Sequence, residues 1–536
     1  MIEFDDVTVT YAGAIRPALD RVTVTIDEGE LCLVVGPTGS GKSTLLACIN
    51  GLVPHFTGGT VAGRVCVEGR DTAHHPPREM ADLVGYVGHA PLAGFVTDIV
   101  EDEIAYGMES LGVAPDVMRR RVEETLDILG LASVRDRPLL SLSAGEQQRV
   151  AIGSVLAVGP RVLVLDEPTS ALDPAGAEDV LAALTRLVHD LGLTVVLAEH
   201  RLERVVHYAD MVVAVEDGRV RSGTPTEVLP TVQVQPPIVE LAAWAGWSPL
   251  PLSVRDARRA ASPLRARLAG ASVDRPHLAP AAETVVAIDG VGAAYGAHWA
   301  LTGVTADLHA GCVTAVMGRN GAGKSTLLRV VAGLQAPSTG TVWIAADAPT
   351  SRRRAARRGP VALIPQEAAE LLWAHTVASE CEDADVEAGV SSGTTRALLL
   401  RLAPDLRDDD HPRDLSEGQR LMLCLAVMLV GSPRLVALDE PTRGLDYAAK
   451  RRLVEVLREL TASGTAVVLA THDVELVAEL ADDVVVLADG EVVARGAAAD
   501  VVIGSPSFAP QVAKVMAPVP LLTVAELRRA LDEASA

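Results

Sequence analysis

The sequence predicts an α/β protein built twice over, with two phosphate-binding cores in tandem, each carrying a β-rich N-terminal edge and a helical insert. Three observations predict it. A buried-strand pattern, Leu31-Cys-Leu-Val-Val, runs into Gly36-Pro-Thr-Gly39-Ser-Gly41-Lys42-Ser43-Thr44 and then into the apolar helix pattern Leu45-Leu-Ala-Cys-Ile. The same succession returns as Val313-Thr-Ala-Val-Met, Gly318-Arg-Asn-Gly321-Ala-Gly323-Lys324-Ser325-Thr326 and Leu327-Leu-Arg-Val-Val. Finally, Arg161-Val-Leu-Val-Leu-Asp166-Glu167-Pro has a counterpart at a similar offset, Arg434-Leu-Val-Ala-Leu-Asp439-Glu440-Pro.

Each element answers a chemical need. Glycines let backbone N–H groups close around phosphate oxygens, the helix N-terminus adds positive potential, and Lys42 or Lys324 supplies a compact charge. Ser43 and Ser325 are placed to ligate Mg²⁺. At the end of each acidic strand the first carboxylate, Asp166 or Asp439, suits the Mg²⁺ shell. The next, Glu167 or Glu440, suits an attacking water as base or polariser. The edges Ile2 to Tyr11 and Val285 to Tyr295 are expected to be β-rich.

Leu142-Ser143-Ala-Gly145-Glu-Gln-Gln-Arg149 and Leu415-Ser416-Glu-Gly418-Gln-Arg420 resemble the signature sequence of ABC-type ATPases. The resemblance implies tandem P-loop NTPase domains that hydrolyse ATP with Mg²⁺. It divides the chain into ATPase domain one (1–230), its extension and linker (231–280), ATPase domain two (281–505) and a second extension (506–536). It further implies that the signature of one domain closes over the P-loop of the other, so that two domains pair within one chain. Tyr11 and Tyr295 then stand where an aromatic ring stacks on adenine. Ser170-Ala-Leu-Asp173 and Arg443-Gly-Leu-Asp446 resemble the D-loops, and His200 and His472 the switch histidines at the γ-phosphate.

One position departs from the family pattern. The second half has Gln366 in Leu363-Ile-Pro-Gln366, the glutamine that contacts Mg²⁺ and water; the first half has His89, in Val84-Gly-Tyr-Val-Gly-His89. A neutral imidazole cannot act as both amide donor and carbonyl acceptor, so the two sites are expected to hydrolyse ATP unequally. By the resemblance, site one combines Lys42, Ser43, His89, Asp166, Glu167 and His200 with Ser416 and Gly418. Site two combines Lys324, Ser325, Gln366, Asp439, Glu440 and His472 with Ser143 and Gly145.

Phe95-Val-Thr-Asp-Ile-Val-Glu101-Asp102-Glu103-Ile104-Ala-Tyr-Gly107 resembles a stretch of the energy-coupling-factor (ECF) transporter ATPases, of which Ala374-His-Thr-Val-Ala-Ser-Glu380 keeps an echo. Glu199-His200-Arg201-Leu202 is similar to the same group, whereas the second half reads Thr471-His472-Asp473. The likeness implies a peripheral ATPase at the cytoplasmic face of the membrane. It would serve a transmembrane coupling subunit and a substrate-binding membrane subunit importing a vitamin, vitamin precursor or transition-metal ion. Glu101 to Glu103 would lie near the docking groove for the coupling subunit. The alternatives are an ATPase of another ABC importer class and an ABC-F-like factor acting on ribosomes, which would want a long charged helical linker and a basic surface.

Composition bounds these readings. Forty-seven Lys and Arg against 70 Asp and Glu give a net charge of −23, which repels nucleic-acid phosphates, so no nucleic-acid partner is expected. Six cysteines without a C-x-x-C pair read as reduced buried thiols, without a zinc or iron–sulfur pattern. Met1-Ile-Glu-Phe-Asp-Asp does not read as a secretory signal. The apolar run Leu421 to Val430 is about half of the roughly 20 residues that a membrane span needs. The halves end in similar tails, Pro249 to Ala260 and Pro520 to Ala530, each with a helix start at Ser253 or Thr523. Arg258, Arg259, Arg265 and Arg267, the run Arg352 to Arg358, and Lys450 and Lys514 are expected on solvated faces.

Overall fold

The computed structural model describes residues 1–14, 16–170, 172–233, 235–269, 283–345, 360–505 and 508–533. The run Arg352 to Arg358 and the linker past residue 269 lie outside the described residues. The chain forms two compact units, Met1–Ser253 and Val254–Ala536.

The first unit contains strands β1 (Ile2–Thr10), β2 (Leu19–Ile26), β3 (Leu31–Val35), β4 (Thr60–Val67), β5 (Arg70–Asp71), β6 (Val84–Val87), β7 (Val162–Asp166), β8 (Thr194–Ala198), β9 (Met211–Glu216) and β10 (Arg219–Gly223). β1 is half-buried, with Ile2, Phe4, Val7 and Val9 turned inward, and it joins the antiparallel sheet β2-β1-β4-β5. The second sheet has the order β10-β9-β3-β8-β7-β6. All its strands run parallel except β10, which closes one edge antiparallel. Its central strands β3, β7 and β8 are buried along their whole length, as apolar runs covered on both faces must be.

The second unit repeats the plan with β11 (Thr284–Tyr295), β12 (His298–His309), β13 (Val313–Met317), β14 (Thr339–Ile344), β15 (Val361–Ile364), β16 (Leu435–Asp439), β17 (Ala466–Ala470), β18 (Asp483–Ala488) and β19 (Glu491–Ala497). Its sheets are β12-β11-β14 and β15-β16-β17-β13-β18-β19, so the parallel core has the same strand order as the first. That order decides where chemistry can occur. Ligands of open α/β sheets sit outside the carboxyl ends of the strands. In each unit the P-loop follows one strand (β3, β13), His200 or His472 its neighbour (β8, β17), the acidic pair ends the next (β7, β16), and His89 or Gln366 follows the last (β6, β15).

Helical inserts stand between that last strand and the signature: Val100–Ser110 and Pro115–Ile128 in the first unit, Val377–Ala388 and Thr394–Leu402 in the second. The apolar run at Leu421 belongs to the helix Glu417–Leu429, which is buried among Leu399, Leu402 and Leu453. Among the described residues no helix is long and apolar enough to cross a membrane. All six cysteines are free thiols, five of them buried.

The tails correct one expectation. The helix Val254–Ala260 packs against the helix Gln511–Met516. Arg258 donates to the Lys514 carbonyl at 2.7 Å and Arg265 to the Val515 carbonyl at 2.9 Å. The last carbonyls of a helix lack partners within it, and these two guanidinium groups supply them, Arg265 half-buried and Arg258 while still exposed. Thr523 accepts the Glu526 N–H at 3.1 Å, the expected cap of the helix Val524–Glu533.

Candidate functional site

Each P-loop helix starts on a glycine that no other residue could replace without strain. Gly41 has φ 112°, and a Cβ there would lie 2.4 Å from the Ala18 carbonyl oxygen. Gly323 has φ 101° and would meet the Ala300 carbonyl oxygen at the same 2.4 Å. Gly36 and Gly39, and Gly318 and Gly321, complete the two loops, and Thr44 and Thr326 lie in the first helical turns. Lys42 Nζ donates to the Gly36 and Pro37 carbonyls at 2.9 and 3.0 Å; Lys324 Nζ donates to Gly318 and Arg319 at 2.9 and 3.2 Å. Both lysines are 6% exposed, so each loop wraps a nearly buried cation.

The acidic pairs sit beside these lysines. Ser43 hydrogen-bonds Asp166 and Ser325 hydrogen-bonds Asp439. Burial pushes both aspartates above the ordinary carboxylate range; the serine hydrogen bonds oppose the shift, and the neighbouring glutamates add to it. Oδ1 of each aspartate is buried without a hydrogen-bond partner among the described residues. A hydroxyl and an orphaned carboxylate oxygen side by side are hard donors that fit a small divalent cation.

Glu167 and Glu440 adopt φ 53° and 49°, the left-handed region that costs a residue with a Cβ about 1–2 kcal/mol. The strain is held by their own N–H groups, bonded to the Ala198 and Ala470 carbonyls at 3.0 and 2.8 Å. Strained non-glycine residues of this kind concentrate at functional sites. His200 Nε2 lies 2.8 Å from Glu167, and His472 Nδ1 lies 2.8 Å from Glu440. Burial alone would raise the Glu167 carboxyl, but the hydrogen bond and charge of His200, with Lys42 and His89, hold it below its ordinary value. Lys324 Nζ approaches Glu440 to 3.6 Å.

His89 and Gln366 are both exposed, two residues beyond the ends of β6 and β15. His89 is close enough to act electrostatically on both Asp166 and Glu167. Tyr11 places its hydroxyl 3.2 Å from Thr44 Oγ1 of the P-loop helix, whereas Tyr295, half exposed, donates to Gln335 at 2.6 Å. Ser143 and Ser416 each cap the helix that carries Gly145 or Gly418, in capping boxes closed by Glu146 and Gln419. Within each unit, then, the lysine, serine, aspartate, glutamate and histidine come together. The signature turns are N-termini of separate helices.

Several residues escaped the sequence reading. Glu103 is buried and accepts the Val96 and Thr97 N–H groups at 3.0 and 2.8 Å, so it braces the preceding loop rather than a docking face. Glu380 does the same for Trp373 and Ala374, at 3.1 and 2.8 Å. Glu101 is paired with Arg135 at 2.9 Å. Glu199 is 2% exposed and accepts the Thr169 N–H at 2.8 Å. Lys450 is not a surface lysine: its side chain is 15% exposed and pairs with Asp473 at 2.9 Å, because that carboxylate lies beside it in the fold.

Comparison with known proteins agrees with this geometry. A family model described as ABC transporter matches residues 19–170 and 301–443. A Streptomyces avermitilis protein described as an ABC transporter ATP-binding protein is 58% identical over 99% of this chain and 100% of its own length. One from Methanosarcina mazei is 31% identical over 99% of this chain and 94% of its own. A solved structure of archaeal Pelota and ABCE1 on the ribosome contains a chain with a TM-score of 0.63 at 21% identity, covering 92% of this chain and 79% of that one, a likeness of fold. With two P-loop units of one topology and relatives along its whole length, the chain belongs to the ABC transporter family, as a tandem ATP-binding protein that hydrolyses ATP.

Proposed function

We propose that this chain is the energy-coupling ATPase of an ECF-type importer, peripheral at the cytoplasmic face of the membrane. It would serve a transmembrane coupling subunit and a separate substrate-binding membrane subunit that take up a vitamin, vitamin precursor or transition-metal ion. The observation that carries this reading is the segment from His89 to Gly107. Its part from Phe95 to Gly107 resembles the ECF stretch, and the segment exposes Leu92, Val96, Ile99 and Tyr106 together with the acidic Asp102. An apolar surface flanked by acid suits an amphipathic, basic helix of a partner.

Within each unit the residues divide the work of hydrolysis. Lys42 and Lys324, with the P-loop N–H groups, hold the phosphates of ATP. Ser43 with Asp166, and Ser325 with Asp439 and Gln366, would hold Mg²⁺. Bound there, the ion would supply charge neutralisation at the phosphate oxygens. Glu167 and Glu440 take the proton of the attacking water, and His200 and His472 orient them. His89 replaces Gln366 in positioning that water. Tyr11 and Tyr295 stack on adenine, and the turns Ser143 to Gly145 and Ser416 to Gly418 donate to a γ-phosphate.

Co-expression of the tagged chain with membrane proteins encoded beside its gene, followed by purification in mild detergent, tests the partner assignment. Stoichiometric recovery of a membrane-spanning subunit is the expected result. Recovery with ribosomes, and with no membrane protein, would replace it with the ribosome-acting reading.

A further inference from the structure

Between the turn Arg443 to Asp446 and His472, the second unit carries a part-buried ion pair that hydrolysis as described does not use. Asp446 caps the helix Tyr447–Ala462 by accepting the Ala449 N–H at 2.7 Å, and Lys450 stands in the first turn of that helix. A cation at a helix N-terminus opposes the helix dipole, so its position needs another cause. Asp473 supplies it, 2.9 Å from Lys450 Nζ, with the two side chains 15% and 5% exposed. Asp473 directly follows His472, and its Oδ1 also accepts the Glu475 and Leu476 N–H groups at 3.1 and 3.0 Å, at the start of the helix Val474–Leu480. One carboxylate thus ties two helix starts together beside His472, whose ring lies 2.8 Å from Glu440. At the other end of the turn, Arg443 binds Glu367, the neighbour of Gln366, at 2.9 Å.

The first unit makes the connection with the opposite polarity. Ala177 stands in the place of Lys450, and Arg201 in that of Asp473. The cation there comes from the histidine side: Arg204 Nη1 donates to the Leu172 carbonyl at 3.3 Å. Ser170 and Ala90 occupy the positions of Arg443 and Glu367, so that bridge has no equivalent.

We propose that Lys450 and Asp473 are positioning residues of the second site, fixing the turn at Arg443 to Asp446 to the segment that bears His472 and so holding the imidazole against Glu440. The proposal rests on the assignment of Glu440 and His472 to hydrolysis. Steady-state ATP hydrolysis by the full chain tests it in a Glu167→Gln background, where turnover reports the second site. Lys450→Met/Asp473→Asn removes both charges together and leaves no unpaired ion to unfold the chain. The expected result is a kcat lowered about tenfold with KM for ATP held within about twofold, and Lys450→Arg restoring most of the rate. The same double change in a Glu440→Gln background should leave first-site turnover unaltered. A folded double variant with unchanged kcat would overturn the proposal, as would an equal loss in both backgrounds or a rise in KM alone. If the charge-free pair prevents folding, Lys450→Arg decides, and a tenfold loss in that ion-paired variant overturns the proposal. Undiminished turnover in Glu167→Gln/Glu440→Gln would instead remove the site assignment on which the proposal depends.

Discussion

The two units share strand order, P-loop geometry, strained glutamate and its 2.8 Å contact with a histidine, yet they differ in the residues that surround that histidine. Around His200 stand Glu199 and Arg201, with His89 two strands away beyond the end of β6; around His472 stand Thr471 and Asp473, with Gln366 two strands away beyond the end of β15. Glu199 is buried, with one oxygen on the Thr169 N–H at 2.8 Å and the other without a partner among the described residues. Thr471 instead accepts the Asp473 N–H at 3.1 Å, and Asp473 takes Lys450. Groups that would meet phosphate are repeated, while groups that brace them have diverged. On the proposed roles of these residues, the repeated groups share one chemistry and the divergent braces are where the two sites would come to differ.

The largest expected effect lies in what the units share. Glu167→Gln/Glu440→Gln should lose hydrolysis by at least about 10²–10⁴-fold while still binding ATP, measured by phosphate release and filter binding. Substantial turnover in that variant would show that the strained glutamates are not the proton acceptors. Next, Gly41→Ala and Gly323→Ala each drive a Cβ to 2.4 Å from a carbonyl oxygen, so each should weaken nucleotide binding at its own site to a similar degree. Strain of about 1–3 kcal/mol corresponds to roughly 5- to 150-fold in affinity. A large effect in one unit alone would break the likeness of the loops.

Smaller effects probe the differences. His89→Gln gives the first site the amide of the second, and the two rates should then converge within about threefold, read by single-turnover hydrolysis in Glu440→Gln and Glu167→Gln backgrounds. An unchanged gap would place the inequality elsewhere, in the brace around the histidine. The smallest expected effect concerns Glu199, whose carboxyl is raised chiefly by burial and further by Glu167, against hydrogen bonding from Thr169 and the charge of Arg204. The folded chain keeps that proton at pH values where the unfolded chain has released it. Its stabilising contribution is therefore full below the ordinary carboxylate range and is lost as pH rises through the raised value. Glu199→Gln removes that loss, so its thermal stability relative to the parent should climb as pH rises above the ordinary carboxylate range. A constant difference across that rise would mean that the group is ionised throughout.

Most of the fold was legible because its evidence is local. A buried strand, a glycine loop and an apolar helix lie in consecutive residues, and positive φ at Gly41 and Gly323 leaves few alternatives to glycine. The unexpected roles of Lys450 and of Arg258 and Arg265 were not legible, because their partners lie 23 residues away in one case and 256 and 250 in the others. No local pattern names such partners. Glu103 is an intermediate case. The string Glu101-Asp102-Glu103 reads as a solvated helix start, but Glu103 shares a helical face with the buried Val100 and Ile104, and Glu380 repeats it at the fourth residue of the matching helix. That recurrence was available in the sequence and pointed to an internal brace.

Unequal sites can be tested most directly by measuring single-turnover ATP hydrolysis in Glu167→Gln and Glu440→Gln chains side by side, at saturating nucleotide. With the histidines mounted differently and His89 standing for Gln366, the two rates should differ at least about threefold. Identical rates would mean that the divergent braces have no bearing on hydrolysis, and the two units would then be functional copies as well as structural ones.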